Sequence, residues 1–288
     1  MNLGAHMSIA GGLAQALHRG QTVGCSIVQL FLKNQVQWAA KRLGQDEIAE
    51  FKRAQAETEI RTAFAHASYL INLCSPVERE WARSVEALSD ELERAEALGL
   101  PFVIVHPGSH KGEGFQAGLE RISRALQELE RQTRGYDVRL LLENTAGAGN
   151  TVGARFEELQ AILERASAPE RFGVCLDTCH LFAAGYDIRT QGGYEATIED
   201  LDRQIGVSRV HAWHLNDAKK GLGSGLDRHE HIGEGQIGLE AFRALLNDPR
   251  FTACPMSLET PKEGDWDQKN LATLRRLRRS GQPKRSRK

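Results

Sequence analysis

Nine side chains in this sequence have the chemistry to hold a cluster of metal ions. Five are histidines (His66, His106, His180, His214, His229) and four are carboxylates (Glu143, Asp177, Asp227, Glu259). Imidazole nitrogen and carboxylate oxygen, without sulfur, suit zinc and also manganese. One zinc takes about four ligands, so nine are too many for one ion and reasonable for three, if water and substrate fill the gaps. Two or more ions a few ångströms apart suit displacement at phosphorus, where they stabilise both the attacking and the leaving oxygen. Isomerisation or epimerisation of a sugar is the rival chemistry. It works with two ions and a base and leaves His180, Asp227 and His229 without a role.

Two stretches carry informative spacings. In CLDTCH (Cys175–His180), Asp177 and His180 lie three residues apart where a strand turns outward, so they can face neighbouring ions. In DRHEHIGEG (Asp227–Gly235), Asp227 and His229 alternate along an extended segment, which projects both to one side. HLNDAKK (His214–Lys220) and GLGSG (Gly221–Gly225), just upstream, read as a flexible loop that delivers these ligands. Cys175 and Cys179 are rival ligands by type and are read as buried free thiols.

Residues so far apart meet only if the chain closes on itself. Eight β-rich runs recur: Leu3–His6, Ile27–Phe31, Thr62–His66, Phe102–His106, Leu140–Glu143, Gly173–Asp177, Val210–Leu215 and Met256–Glu259. Helical segments with apolar spacings of three and four separate them, among them Ser75–Leu98, Gly118–Arg134, Phe156–Ala166, Leu239–Asn247 and Asp267–Arg279. Strand then helix, eight times, predicts an α/β fold, a single (β/α)8 TIM barrel. The unalternating runs Val103–Val105 and Leu140–Leu142 suit strands covered on both faces. Six of the runs finish at or beside a candidate ligand: His66, His106, Glu143, Asp177, His214 and Glu259. In such a barrel these ends converge on the face that carries active sites.

The bulk numbers agree. A chain of 288 residues, 41% hydrophobic, fits one barrel. The expected domain spans 1–279, and the polar, basic stretch 280–288 (SGQPKRSRK) is expected to be a disordered tail. A net charge of −1 does not by itself advertise a polyanionic partner. Three divalent ions would add about six positive charges in one pocket and reverse that inference. No membrane span and no signal peptide are expected. The five scattered cysteines predict no disulfide framework and a reducing cytoplasm.

With these residues in view, the sequence closely resembles the endonuclease IV family, the zinc-dependent apurinic/apyrimidinic (AP) endonucleases of DNA base-excision repair. The resemblance runs from GAHMSIAGGL (Gly4–Leu13) to LET (Leu258–Thr260). It is carried by HASYLINL (His66–Leu73), HPGSH (His106–His110), ENTAG (Glu143–Gly147), GVCLDTCHLFAAGYD (Gly173–Asp187), HLNDAK (His214–Lys219) and DRHEHIGEGQIG (Asp227–Gly238).

The resemblance implies a trinuclear Zn2+ site, with Mn2+ an alternative at one position. His66 and His106 would hold one ion, bridged by Glu143 to a second that Asp177, His214 and Glu259 complete. His180, Asp227 and His229 would hold the third. Glu143, Asp177 and Glu259 would act in catalysis through the ions they hold. The implied reaction is hydrolysis of the phosphodiester 5′ to an abasic site in double-stranded DNA, leaving a 3′-hydroxyl and a 5′-deoxyribose phosphate. Removal of 3′-blocking groups is a companion activity, and a monomer is expected.

The resemblance also places Tyr69 and Leu70 as a pair that enters the minor groove, where apolar wedges replace lost stacking. Val36 stands where relatives commonly carry an arginine that inserts into the base stack, which predicts a weaker grip on the lesion. Lys33, Lys219, Lys220 and Arg228 are the expected phosphate contacts. His6 is expected beside the ligands rather than among them, and His18, His110, His211 and His231 are not expected to bind metal.

Overall fold

The computed structural model describes residues 2–278, so the expected tail at 280–288 lies outside the described residues. In chain order the elements are β1 (Leu3–His6), α1 (Leu13–Val23), β2 (Ile27–Phe31), α2 (Gln45–Glu57), β3 (Thr62–His66), α3 (Glu78–Leu98), β4 (Phe102–Val105), α4 (Phe115–Gln132) and β5 (Arg139–Glu143). There follow α5 (Phe156–Leu163), β6 (Phe172–Asp177), α6 (Thr178–Ala183), α7 (Gln191–Gln204), β7 (Val210–His214), β8 (Asp217–Ala218), β9 (His229–Glu230), α8 (Leu239–Leu246), β10 (Met256–Leu258) and α9 (Trp266–Leu277). The strands β1, β10, β7, β6, β5, β4, β3 and β2 close in that order into a parallel barrel, the predicted (β/α)8 architecture. The short β8 and β9 pair antiparallel outside it.

Two apolar layers hold the barrel. Ile27, Phe64, Phe102, Ile104, Leu141, Cys175 and Ala212 form a cluster of their own in the lumen. The alternate residues, such as Val103, Val105, Leu140 and Leu142, pack outward against the helices. Helix α4 shows the fit: its stripe of Leu119, Ile122, Leu126 and Leu129 is buried, as its period requires. At Gly4 the first two strands approach so closely that a Cβ would lie 1.8 Å from the Ile27 carbonyl oxygen, so only glycine closes the barrel there.

The expected boundaries shift by a few residues at several places. Helix α3 begins at Glu78 rather than Ser75. Pro76 disfavours the helical conformation at the residue before it, and the Ser75 hydroxyl instead donates to Glu80 Oε2 at 2.8 Å. Helix α4 starts at Phe115, three residues before the expected Gly118, because Gly114 takes a positive φ of 91° just ahead of it. Strands β4 and β10 stop one residue short of His106 and Glu259, which therefore stand on the rim.

Candidate metal centre

The lumen cluster fixes where the candidate ligands point. Side chains two apart on a strand share a face. His66 follows Phe64 by two, His106 follows Ile104, Glu143 follows Leu141, Asp177 follows Cys175 and His214 follows Ala212. Each polar residue is thus the next inward position above an apolar plug, at the C-terminal mouth of the barrel. Glu259 joins them past β10. His180 comes from α6, whose N-terminus is capped by the Asp177 carboxylate accepting from the His180 backbone N–H at 3.0 Å. Asp227 and His229 arrive on the segment entering β9.

These side chains gather into three groups whose donor atoms all lie within 4.8 Å of one another: His66, His106 and Glu143; Glu143, Asp177, His214 and Glu259; and His180, Asp227 and His229. In the first, Glu143 Oε2 lies 2.9 Å from His66 Nε2 and 3.5 Å from His106 Nε2. In the second, His214 Nδ1 lies 2.9 Å from Glu143 Oε1, 3.3 Å from Glu259 Oε2 and 3.9 Å from Asp177 Oδ2. In the third, Asp227 faces His180 Nε2 at 3.2 Å and His229 Nε2 at 3.1 Å. Ligands about 2.0–2.1 Å from a tetrahedral zinc sit roughly 3.3 Å apart, so this spacing fits shared cations. Glu143 gives one oxygen to each of the first two groups.

The hydrogen-bond pattern supports the same fit. His66 Nδ1 meets the Ala67 carbonyl at 2.8 Å, His180 Nδ1 the Asn144 carbonyl at 2.9 Å and His229 Nδ1 the Glu259 carbonyl at 3.1 Å. An N–H donated to a carbonyl leaves a lone pair on the other ring nitrogen, the arrangement typical of metal-binding imidazoles. The Nε2 atoms of His180 and His229 are buried and have no hydrogen-bond partner, although Asp227 oxygens lie close. A lone pair aimed at a carboxylate needs a cation or a proton between them.

In the cation-free chain, protons take that role. Burial works to raise the Glu143 carboxyl, but His214, His106 and His180 hold it well below the carboxylate range. Burial works against charge on His180 and His214, yet Asp177, Asp227 and Glu143 hold the first, and Cys175, Glu259 and Glu143 the second, well above an ordinary histidine. His229 is raised to about 9 against burial, by Asp177 and Asp227. His106, where burial dominates, is lowered. Cation uptake would release these protons.

The Xylose isomerase-like TIM barrel family matches residues 17–280. Among individual relatives, a probable endonuclease 4 of Chloroflexus aurantiacus is 49% identical over 276 residues, covering 95% of this chain and 97% of the relative. A probable endonuclease 4 of Geobacter sulfurreducens is 47% identical over 277 residues, covering 96% and 94%. The crystal structure of endonuclease IV from Thermus thermophilus superposes with a TM-score of 0.85 at 38% identity, covering 96% of this chain and 98% of that one. The chain belongs to the endonuclease IV family. A D-tagatose 3-epimerase-like protein shares only the fold, at 20% identity and a TM-score of 0.75.

Beside the ligand groups, this endonuclease IV family member has an open groove of about 1160 Å³ whose lining includes His6, Phe31, Val36, Tyr69 and Glu259. Tyr69 and Val36 are the large apolar residues left most open to solvent, 68% and 77% exposed. Leu70 is half-buried. The Ser68 hydroxyl donates to the Gln35 carbonyl at 2.6 Å, which ties the Tyr69 loop to the Val36 loop.

Two expected features make contacts that the sequence did not suggest. Lys33 lines the groove, but its ammonium is turned inward and buried, 2.7 Å from Asp90 Oδ2 and 3.7 Å from Glu91 Oε1, and donates to the Ala87 carbonyl. Two acids on α3 offer it a better partner than solvent. The glycine-rich segment is not free of the barrel, since the N–H groups of Gly223 and Gly225 donate to the carbonyls of Phe182 and Ala183 on α6.

The remaining residues stand as follows. His6 does lie beside the ligands, with Nδ1 3.7 Å from Glu259 Oε1. The other expected phosphate contacts, Arg228, Lys219 and Lys220, are all exposed. The Arg228 guanidinium bonds the Asp227 carbonyl at 2.6 Å. All five cysteines are free, and Cys175 and Cys179 are buried. Burial pushes both thiols up to about 12, which keeps them neutral, although Cys179 stands near Asp177 and His229 as a geometric alternative.

Three polar residues that no chemical signal singled out organise the site. Asn144 accepts from the Asp177 backbone N–H at 2.6 Å. Asn216 donates to Asp177 Oδ2 at 2.6 Å and accepts from the Glu259 N–H at 2.9 Å. The buried Asp217 accepts from the N–H groups of Gly233 and Ile237, both at 2.9 Å, and so shapes the loop after β9. Each sits one to three residues past a ligand, and that adjacency is the only sign the sequence gives.

Proposed function

We propose that this chain is a DNA-repair endonuclease that hydrolyses the phosphodiester 5′ to apurinic/apyrimidinic sites in double-stranded DNA, leaving a 3′-hydroxyl and a 5′-deoxyribose phosphate, and that it also clears blocked 3′ ends. The observation that carries the reading is the third ligand group. His180, Asp227 and His229 stand beside the rim as a separate set with orphaned imidazole nitrogens. A two-ion sugar isomerase has no use for that set.

When bound, divalent cations supply an ionised water at neutral pH and neutralise charge at the phosphorus. His66, His106, Glu143, Asp177, His180, His214, Asp227, His229 and Glu259 hold them, three Zn2+ per chain or Mn2+ at one position. Glu143 and Glu259, both held below the ordinary carboxylate range by neighbouring histidines, keep their carboxylates ionised to do so. Tyr69 and Leu70 fill the space left by the missing base, and a lost base lowers the cost of rotating the lesion out of the stack. Val36 offers less reach and no charge at the neighbouring position. Arg228, Lys219 and Lys220 hold phosphates. The protein works as a monomer in the cytoplasm, and its five unpaired cysteines support the cytoplasmic reading. No helix among the described residues is long and apolar enough to cross a membrane.

The test is a duplex with one abasic analogue, incubated with the protein as purified and after treatment with a zinc chelator. Nicking 5′ to the lesion that the chelator abolishes and zinc restores is the expected result. Intact duplex with the zinc-loaded protein overturns the reading, as does turnover of a ketose in its place.

A further inference from the structure

Gln29 lies on β2 between Ile27 and Phe31, pointing into the lumen, and is fully buried. Its amide touches three side chains. Oε1 is 2.8 Å from His214 Nε2, while Nε2 is 2.5 Å from Glu259 Oε1 and 3.0 Å from His6 Nδ1. Only one orientation of the amide satisfies the carboxylate, because an amide oxygen turned toward Glu259 would set two acceptors against each other.

That orientation propagates. An accepting Oε1 requires the proton of a neutral His214 to be on Nε2, so His214 turns the lone pair of Nδ1 toward Glu143, Glu259 and Asp177. A donating amide nitrogen occupies Glu259 Oε1 and leaves Oε2 for the same group. The second hydrogen of that nitrogen makes His6 Nδ1 an acceptor and puts the His6 proton on Nε2, a buried atom with no partner beside the groove.

We propose that Gln29 is a positioning residue that selects which atoms His214 and Glu259 present to the central cation and fixes the tautomer of His6. The inference rests on the metal-centre reading above. It assigns the choice of donor atom to a residue on β2, a strand that contributes none of the nine candidate ligands. A neighbour that orients a ligand in this way is worth about 10–100-fold in metal affinity.

The test compares zinc retention by the full chain and by Gln29→Met, which keeps the length and removes both hydrogen-bonding functions. Both are titrated with a competing chelator, and bound zinc is measured by elemental analysis. The expected result is that one ion of the variant is lost at a chelator concentration about 10–100-fold lower, while the ion of the His180 group is lost as in the parent. Identical curves overturn the role of Gln29. A parent chain that takes up no zinc overturns the metal centre and this inference together. If Gln29→Met fails to fold, nitrogen-15 histidine spectra of the zinc-loaded parent decide the matter. Protons on Nε2 of both His214 and His6 are expected, and a proton on Nδ1 of His214 overturns the proposal.

Discussion

The rim of the barrel and the two loops beyond β2 and β3 solve opposite problems. On the rim, polar groups are packed where water is scarce, so each must be matched: Glu143 is fully buried and meets four imidazoles within 3.5 Å. On the loops, Val36 and Tyr69 stand in solvent with their apolar surface uncovered. Burial makes the first region intolerant, since an unmatched buried charge is costly. Exposure makes the second tolerant, because a substitution there disturbs little else in the free protein. The rim should therefore fail as a unit, and the loops should fail in graded steps that only a DNA ligand reveals.

The hardest test of that contrast is Glu143→Gln. It removes one charge shared by two groups, and the loss should exceed the roughly 100-fold that an outer neighbour costs. Nicking rate and zinc content are expected to fall together, and a variant with full zinc content would break the contrast at its centre. Next is Lys33→Met, which tests whether that residue belongs to the buried class. Leaving Glu91 unpaired should lower stability by about 3 kcal/mol, read from denaturant midpoints, while the salt dependence of DNA binding stays unchanged. A salt slope smaller by about 0.9 at parental stability would instead return Lys33 to the phosphate contacts.

Smaller effects belong to the loops. Tyr69→Ala should weaken binding to an abasic duplex by about 2 kcal/mol, the scale of one lost stacking contact, with little change in the rate at saturation. A loss confined to the saturated rate would move Tyr69 into the rim class. Val36→Arg should tighten the same complex by about 1 kcal/mol, the upper end for an exposed cation on an aromatic face. A variant that binds no more tightly than the parent would show that position 36 does not meet the bases.

The difference between the regions also explains what is legible in the sequence. The rim can be read because its position is dictated twice, by the end of a strand and by inward parity. An apolar residue followed two places later by a histidine or carboxylate recurs at Phe64–His66, Ile104–His106 and Leu141–Glu143. No such rule governs a loop. Lys33, two residues past β2, carries a solvent-seeking charge in the sequence, and only the approach of Asp90 and Glu91 on α3 turns it inward. Gln29 is invisible for another reason. A lone glutamine in a strand has no chemistry of its own until the barrel brings β7 and the end of β10 around it. The glycine-rich stretch before Asp227 reads as loose because its composition permits mobility, and the structure adds backbone hydrogen bonds from Gly223 and Gly225 to α6 that no composition announces.

Those backbone hydrogen bonds have a further consequence. The carbonyls of Phe182 and Ala183 that receive Gly223 and Gly225 belong to the same short helix that carries His180. Backbone hydrogen bonds thereby join the two halves of the third group, so a disturbance of that helix carries Asp227 with it. Deuterium should enter the Gly223 and Gly225 amides no faster than it enters α6 itself, even after a chelator has stripped the protein. Rapid labelling of the two glycines beside a protected helix would mean that the pieces come together only when the ion arrives.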